Sequence, residues 1–344
     1  DRAEKAGVES DMLEYIRARL LEREGNTEEA EKIYLELDKH IDEGVSDIEE
    51  LNDFYGDIAQ LYISEQDENG NRTKLEEARE YVKKGRKVAP KYKRLLWIQS
   101  DVDEFSDNPA DDTYKEMMEI FPDDFTVYYE YGEYLRRTDR VNEARKMYEK
   151  TLWLNPEHKV ANNRLMNIYQ QRYNNLENRE DYDKAVEYAT RQLELVDDEY
   201  YRVERLLLYL DGYEVDKAEE DALRSIEIKP DNVYSHNGLG LCLLRRGDYR
   251  GAIRAFEKAI EVMQDDVTSA PFTNMVKCYE ALREYDKAIE TMNRCLERFN
   301  ENLNYKYVMA RLYTKKGDYQ NAAKKYIELR DHYIGQYKNT KNKW

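Results

Sequence analysis

Apolar and small residues recur at helical spacing along most of the chain, and short polar turns interrupt them at regular intervals. In the segment from Val233 to Asp266, Gly240 and Leu243 precede such a turn, and Ala252 and Phe256 follow it. Apolar spacings of three, four and seven residues on both sides of the turn predict two amphipathic helices. Because the two alanine positions of the second helix, Ala252 and Ala259, hold small residues, the two helices can approach closely, and we expect an antiparallel helix pair.

The same pattern returns throughout the sequence. A small alanine opens the second predicted helix of each copy; these alanines are Ala30, Ala78, Ala110, Ala144, Ala185, Ala218, Ala252, Ala288 and Ala322. Their separations are 48, 32, 34, 41, 33, 34, 36 and 34 residues, which gives nine units with a base period of 34. One helix pair cannot bury its apolar face alone, so stacked neighbours are expected to bury it together.

This pattern resembles the tetratricopeptide repeat family, above all in the turns Gly247-Asp248-Tyr249 and Gly317-Asp318-Tyr319 and the alanines that follow them. The resemblance implies an all-α fold, a right-handed α-α superhelix (a solenoid) of about nine helix-turn-helix repeats in a single domain over 1–344. The repeats are predicted to open near residues 11, 48, 91, 125, 159, 199, 233, 269 and 303. Polar insertions, expected as surface loops, lie near 65–73 and 172–178, and a C-terminal cap or tail covers 331–344.

Charge and composition limit the kinds of partner and activity that the chain can have. The 344 residues include 55 Lys and Arg against 73 Asp and Glu, a formal net charge of −18. Such a chain repels phosphate backbones, so nucleic acid is not expected as a partner. The strongest apolar run, Leu206 to Leu210, is too short for a bilayer, so we expect no direct membrane insertion. The cysteines and histidines show no metal-ligand spacing, and we predict no catalytic residue, no enzyme activity and no cofactor.

A stripe of residues on the first helices is the candidate binding surface. In a right-handed stack these helices line the concave groove. By helical spacing, the second, fifth, ninth, twelfth and thirteenth residues of each unit face this groove. Over nine units these positions hold eight basic and six acidic residues, an excess that favours a peptide with acidic groups or a C-terminal carboxylate. The alternative, that these charges only solvate an exposed face, stays open. The predicted partner-binding residues are Tyr129, Arg136, Arg137, Asn163, Asn167, Gln170, Tyr234, Asn237, Arg245, Lys277, Tyr307, Arg311 and Lys315.

One local motif resembles an EF-hand calcium loop. Its oxygen ligands would be Glu65, Asp67, Asn69 and Glu76, with Gly70 at the sixth position. The first position is Glu rather than Asp and the eighth is Arg rather than an apolar residue, which weakens coordination and packing. We therefore favour a plain acidic loop without a metal.

These observations predict a non-enzymatic scaffold or adaptor that binds a protein or peptide in its concave groove. Two alternatives stay open: a substrate-recruiting arm of a larger enzyme, and a peptide-gated sensor. The chain begins at Asp1 without an initiator Met, so an exported form stays possible, although a cytoplasmic location is favoured.

Overall fold

The protein is built from helix pairs. The computed structural model describes residues 10–106, 109–264, 267–299 and 303–341, with side chains up to residue 334. Within these ranges the chain forms eighteen α-helices and no β-strand, apart from one isolated bridge between Gln66 and Arg72. The prediction of an all-α fold of helix-turn-helix repeats is confirmed. By its contacts the chain divides into an N-terminal unit, Asp1–Asn155, and a C-terminal unit, Pro156–Trp344.

The N-terminal unit contains four successive helix pairs. Its helices are α1 (Asp11–Arg23), α2 (Thr27–Asp42), α3 (Leu51–Ser64), α4 (Leu75–Val88), α5 (Lys93–Phe105), α6 (Asp111–Ile120), α7 (Phe125–Arg137) and α8 (Val141–Leu154). Each odd-numbered helix packs against the even-numbered helix that follows it. The odd helices are the first helices of the repeats, and the even ones are the second.

The C-terminal unit continues the same alternation with five pairs. Its helices are α9 (Lys159–Leu176), α10 (Arg179–Leu195), α11 (Glu199–Asp211), α12 (Val215–Ile228), α13 (Val233–Arg245), α14 (Tyr249–Val262), α15 (Ala270–Ala281), α16 (Tyr285–Phe299), α17 (Leu303–Lys316) and α18 (Tyr319–Lys341). In both units the first helices begin within three residues of the predicted repeat openings. That the nine repeats form a single domain stays a prediction.

Close contact between the two helices of a pair depends on small residues. A Cβ atom on Gly240 of α13 would lie 2.4 Å from the Phe256 ring of α14, and one on Gly132 would lie 2.7 Å from the Tyr148 ring. Ala252, at the start of α14, is completely buried. The aromatic ring of the second helix therefore occupies the space that a side chain on the first helix would fill.

The first helices of the C-terminal unit also lie side by side. α11 contacts α13, α13 contacts α15, and each intervening second helix packs against both of its neighbouring first helices. The approach of α11 to α13 is close, because a Cβ on Gly238 would lie 2.6 Å from a methyl carbon of Leu206. One side of each first helix is thus used for packing, and the opposite sides form a shared surface.

The two predicted insertions differ from each other. Residues 65–73 lie in the loop between α3 and α4. The expectation of a loop at 172–178 is wrong for most of that segment, because α9 continues to Leu176. The extra helical turn is held by an ion pair of 3.0 Å between Arg172 and Asp181 and by a Tyr173–Tyr182 ring contact with centroids 5.2 Å apart.

The predicted tail is also helical where it is described. α18 runs without interruption from Tyr319 to Lys341, so residues 331–341 prolong the last second helix. Residues 342–344, which the tail prediction also covers, lie outside the described residues.

The turn after most of the first helices contains a residue with a left-handed backbone. Gly247 is such a residue, with φ of 80°, but Arg283 has φ of 57° at the equivalent turn after α15. This conformation brings the Cβ of an L-residue too close to the backbone, at a cost of about 1 kcal/mol or more.

We expect Arg283→Gly to raise the free energy of unfolding by roughly 0.5–1 kcal/mol, after the greater entropy of Gly in the unfolded chain is taken into account. Gly247→Ala, the reverse change at the equivalent position, should lower it by about 1 kcal/mol. Urea unfolding followed by circular dichroism measures both. A destabilised Arg283→Gly protein would contradict this account of the turn.

Candidate functional site

The candidate site is the surface formed by the exposed sides of α9, α11, α13, α15 and α17 in the C-terminal unit, called here the first-helix face. On α11 this face presents Tyr200, Glu204, Leu207 and Asp211, which follow one another at intervals of four, three and four residues. That spacing places all four side chains on one stripe of the helix. Tyr200 is 57% exposed and Leu207 39%, so a tyrosine and a leucine stand at the surface beside carboxylates.

α13 contributes a second stripe next to the first. Tyr234 is 50% exposed, and Asn237 and Leu241 follow it at helical spacing. Arg245 is exposed at the end of the helix, where its guanidinium carbon lies 5.0 Å from the centroid of the Tyr213 ring. The predicted residues of α13 therefore share one accessible surface.

Amide side chains continue the face on both sides of α11 and α13. On α9, Asn167 donates a hydrogen bond to the Asn163 oxygen at 3.0 Å. Asn274 of α15 donates to the Asn237 oxygen at 3.3 Å and accepts from Lys277 Nζ at 3.0 Å. These bonds hold the amides in place and leave further donors and acceptors, since each amide can form up to four hydrogen bonds. Gln170 lies half-buried on α9.

At the end of the face, predicted contact residues bind an acid of the chain itself. Arg311 and Lys315 of α17 lie 2.8 Å and 3.0 Å from the carboxylate of Glu280, whose side chain is 10% exposed. Tyr307 remains 54% exposed, with its ring 6.5 Å from that of Tyr326. Tyr307 is therefore more accessible to a partner than the guanidinium group of Arg311 and the ammonium group of Lys315.

In the N-terminal unit the predicted basic residues are paired as well. Arg136 lies 2.9 Å from the buried carboxylate of Glu133, which also accepts a hydrogen bond of 2.6 Å from Tyr148. Arg137 forms two hydrogen bonds with Glu104, at 2.9 Å and 2.8 Å. The ring of Tyr129 packs 6.3 Å from that of Tyr148.

These pairings correct the charge argument made from the sequence. Of the eight basic residues on the predicted stripe, five form ion pairs with carboxylates; they are Arg19, Arg136, Arg137, Arg311 and Lys315. An excess of basic residues on the stripe therefore does not produce an equal excess of available positive charge. Among the described residues, Arg245 and Lys277 of the C-terminal unit form no ion pair with a carboxylate.

The sequence reasoning missed three carboxylates on first helices. Glu130 and Glu204 occupy the sixth position of their repeats, which the predicted stripe leaves out, and Asp101 lies on α5. Burial raises the pKa of all three, and the neighbouring acids Glu133 and Glu104 raise the pKa of Glu130 further. The sequence contained the information needed to include the sixth position in the stripe, since this position follows the second by one helical turn.

The loop that resembles a calcium site uses its oxygens within the protein. Asp67 accepts hydrogen bonds of 2.9 Å and 2.8 Å from the backbone N–H groups of Asn69 and Asn71. Lys74 Nζ lies 3.0 Å from a carboxylate oxygen of Glu65, and the Glu76 side chain is 80% exposed. No group of three or more His, Cys, Asp or Glu residues that could hold a metal ion occurs in the described part of the chain.

Comparison with known proteins identifies the repeats. Tetratricopeptide repeat models match residues 231–301 and 307–331. These two segments are tetratricopeptide repeats. No curated protein matches the sequence of this chain.

Several solved structures are similar to part of this chain. YrrB, described as a TPR protein with an unusual peptide-binding site, is 17% identical, with 57% of this chain and 96% of YrrB covered and a TM-score of 0.43. The Pseudomonas aeruginosa protein pilF is 17% identical over 64% of this chain and 97% of its own, with a TM-score of 0.46. The type IV pilus biogenesis factor PilW is 13% identical over 61% and 94%, with a TM-score of 0.50. At these identities the likeness concerns the fold alone.

The three cysteines belong to the hydrophobic core of the C-terminal unit. Cys242, Cys278 and Cys295 are free and buried. Burial raises the pKa of the Cys242 thiol to about 12 and those of Cys278 and Cys295 to about 11. Thiols in this state are poor nucleophiles at neutral pH. Among the helices that the structure describes, none combines the length and apolar character needed to span a membrane.

The raised pKa of Glu130 has a consequence for stability. Because the folded-state pKa exceeds the unfolded value, ionised Glu130 destabilises the fold at neutral pH, and this penalty disappears as pH falls through the folded-state pKa. Glu130→Gln should therefore be more stable than the parent protein at pH 7, by an amount that shrinks towards pH 4. Urea unfolding at several pH values measures the difference.

Asp111→Asn provides a control of opposite sign. Burial acts to raise the pKa of Asp111, but hydrogen bonds from Tyr131 and Arg140 outweigh it and lower the pKa. This substitution should destabilise at pH 7, with an effect that fades as pH falls through the lowered folded-state pKa. An unchanged difference for Glu130→Gln between pH 7 and pH 4 would show that its charge is not the cause.

Proposed function

We propose that this protein is a non-catalytic scaffold that binds a partner polypeptide along the first-helix face of its C-terminal unit. The tetratricopeptide repeat fold supports a role in protein interaction in general. The observation that carries the more specific proposal is the side-by-side arrangement of α11 and α13, with Tyr200, Leu207 and Tyr234 exposed on adjacent helices. Large exposed side chains of this kind gain free energy when a partner removes them from water.

The amides of the face suit an extended peptide. A peptide backbone presents one N–H and one C=O per residue, and both need partners once water is excluded. Asn163 and Asn167 on α9 and Asn237 on α13 lie on either side of α11 and offer both donors and acceptors. Apolar contact at α11 and α13 together with polar contact from the amides is the combination that peptide-binding grooves use.

An acidic or C-terminal carboxylate group in the partner stays a prediction. Its strongest support is the pair Arg245 and Lys277, both exposed and neither bound to a carboxylate within the described residues. Arg311 and Lys315 support it less, because Glu280 already holds both of them.

A display library of random short peptides, selected against the full chain, tests the proposal. Selected peptides should bind the double variant Leu207→Asn with Tyr234→Ala on the order of tenfold more weakly or worse, because apolar contact area is lost. The matched control is Leu223→Asn with Tyr319→Ala, which changes an exposed leucine and an exposed tyrosine on the second helices α12 and α18. Isothermal titration measures affinity, and circular dichroism should show unchanged helix content for both variants.

Equal loss in both double variants, or no loss in either, would contradict the assignment of the first-helix face. Failure of the library to yield any binding peptide would count against peptide binding itself.

A further inference from the structure

Glu204 is an unusual carboxylate on the first-helix face. It lies half-buried on α11 between Tyr200 and Leu207, and it forms no hydrogen bond or ion pair with any residue that the structure describes. Glu133 and Glu280, at other positions of their first helices, are paired. Glu133 has Arg136 at 2.9 Å, and Glu280 has Arg311 at 2.8 Å.

The surroundings of Glu204 make its charge unfavourable in the isolated protein. Burial raises its pKa, and its charge in turn is the main cause that raises the pKa of the Tyr200 phenol one turn away. A carboxylate that has lost part of its hydration without gaining a partner raises the free energy of the folded chain. A ligand that supplies a positive charge would remove this cost on binding.

The neighbouring side chains define what kind of cation fits. Tyr200 and Tyr234 are half exposed, and Leu207, two turns after Tyr200 on α11, is also accessible. Aromatic faces attract cations, and apolar surface accommodates the methylene stem of a long basic side chain. Asp211, two turns further along the same stripe, carries a second carboxylate; burial raises its pKa, and the charge of Arg245 opposes this rise in part. Both charges on the α11 stripe are therefore negative.

We propose that Glu204 binds a lysine or arginine side chain of the partner polypeptide. This inference rests on the proposed function and extends it: the α11 stripe takes a basic residue, while Arg245 and Lys277 on the following first helices remain available to an acidic group. An ionised carboxylate only accepts hydrogen bonds, so its ligand must donate, and a charged donor compensates the buried negative charge as a neutral one does not. Arginine can satisfy both carboxylate oxygens at once.

The test uses peptides selected from the random display library against the full chain. Selected sequences should share at least one Lys or Arg, and replacing that residue by its neutral counterpart, citrulline for arginine, should weaken binding by about tenfold or more. Glu204→Gln should cause a similar loss for the basic peptide and no further loss for the citrulline peptide. The matched control is Glu220→Gln, which changes an exposed carboxylate on α12 that forms no ion pair within the described residues; it should leave affinity unchanged.

The outcomes separate this inference from the proposed function. If peptides bind and lose affinity in the Leu207→Asn, Tyr234→Ala double variant, but Glu204→Gln and citrulline change affinity by less than about twofold, only the assignment of Glu204 is wrong. If the double variant binds normally, the proposed surface is wrong and the inference fails with it. Selection of uniformly acidic peptides would likewise overturn the basic ligand.

Discussion

The close packing of each helix pair is the constraint on which the structure depends. Where Gly240 meets Phe256 and Gly132 meets Tyr148, no side chain fits between first and second helix. Each first helix is therefore fixed with one side against its own partner and the next repeat. What remains of its circumference is a narrow stripe, and in the C-terminal unit direct contact of α11, α13 and α15 joins these stripes into one face. The candidate site is a consequence of how the core packs.

The same arrangement decides which charges on a first helix are available. Neighbouring first helices bring residues from different repeats into contact, so that Arg311 reaches Glu280 and Arg137 reaches Glu104. These ion pairs join adjacent repeats. Because their charges already compensate each other, the paired side chains are less available to bind a partner. Glu204 contrasts with them, because it lies on the exposed side of a first helix and forms no ion pair with any described residue. The charge that the first-helix face offers to a partner therefore depends more on which charged side chains are unpaired than on how many the face contains.

Much of the fold could be predicted from the sequence because it depends on local spacing. The alanines near each turn and the period of 34 residues place the helix pairs, and the structure begins its first helices close to the predicted openings. The prediction of a loop at 172–178 was wrong because the polar residues there prolong α9. Arg172 and Tyr173 of this extra turn contact residues of α10. Polarity alone does not distinguish a surface loop from an exposed helical turn.

The site could be predicted only in outline. Helical geometry identified Tyr234, Asn237 and Arg245 as neighbours, but it could not show that Arg311 and Lys315 share Glu280, since that contact joins residues more than thirty positions apart. Glu204 was missed because the predicted stripe omitted the sixth position of each repeat. Ion pairing between repeats depends on side-chain conformation and on the distance between helices, neither of which a sequence period specifies.

Photo-crosslinking tests the central claim, that the first-helix face of the C-terminal unit receives a polypeptide, most directly. A selected peptide carrying a benzophenone side chain would be irradiated with the full chain, and mass spectrometry would locate the attached residues. The account predicts attachment within Glu199–Asp211 and Val233–Arg245, on the first helices α11 and α13. Attachment confined to the second helices, such as Val215–Ile228 or Tyr249–Val262, would contradict it.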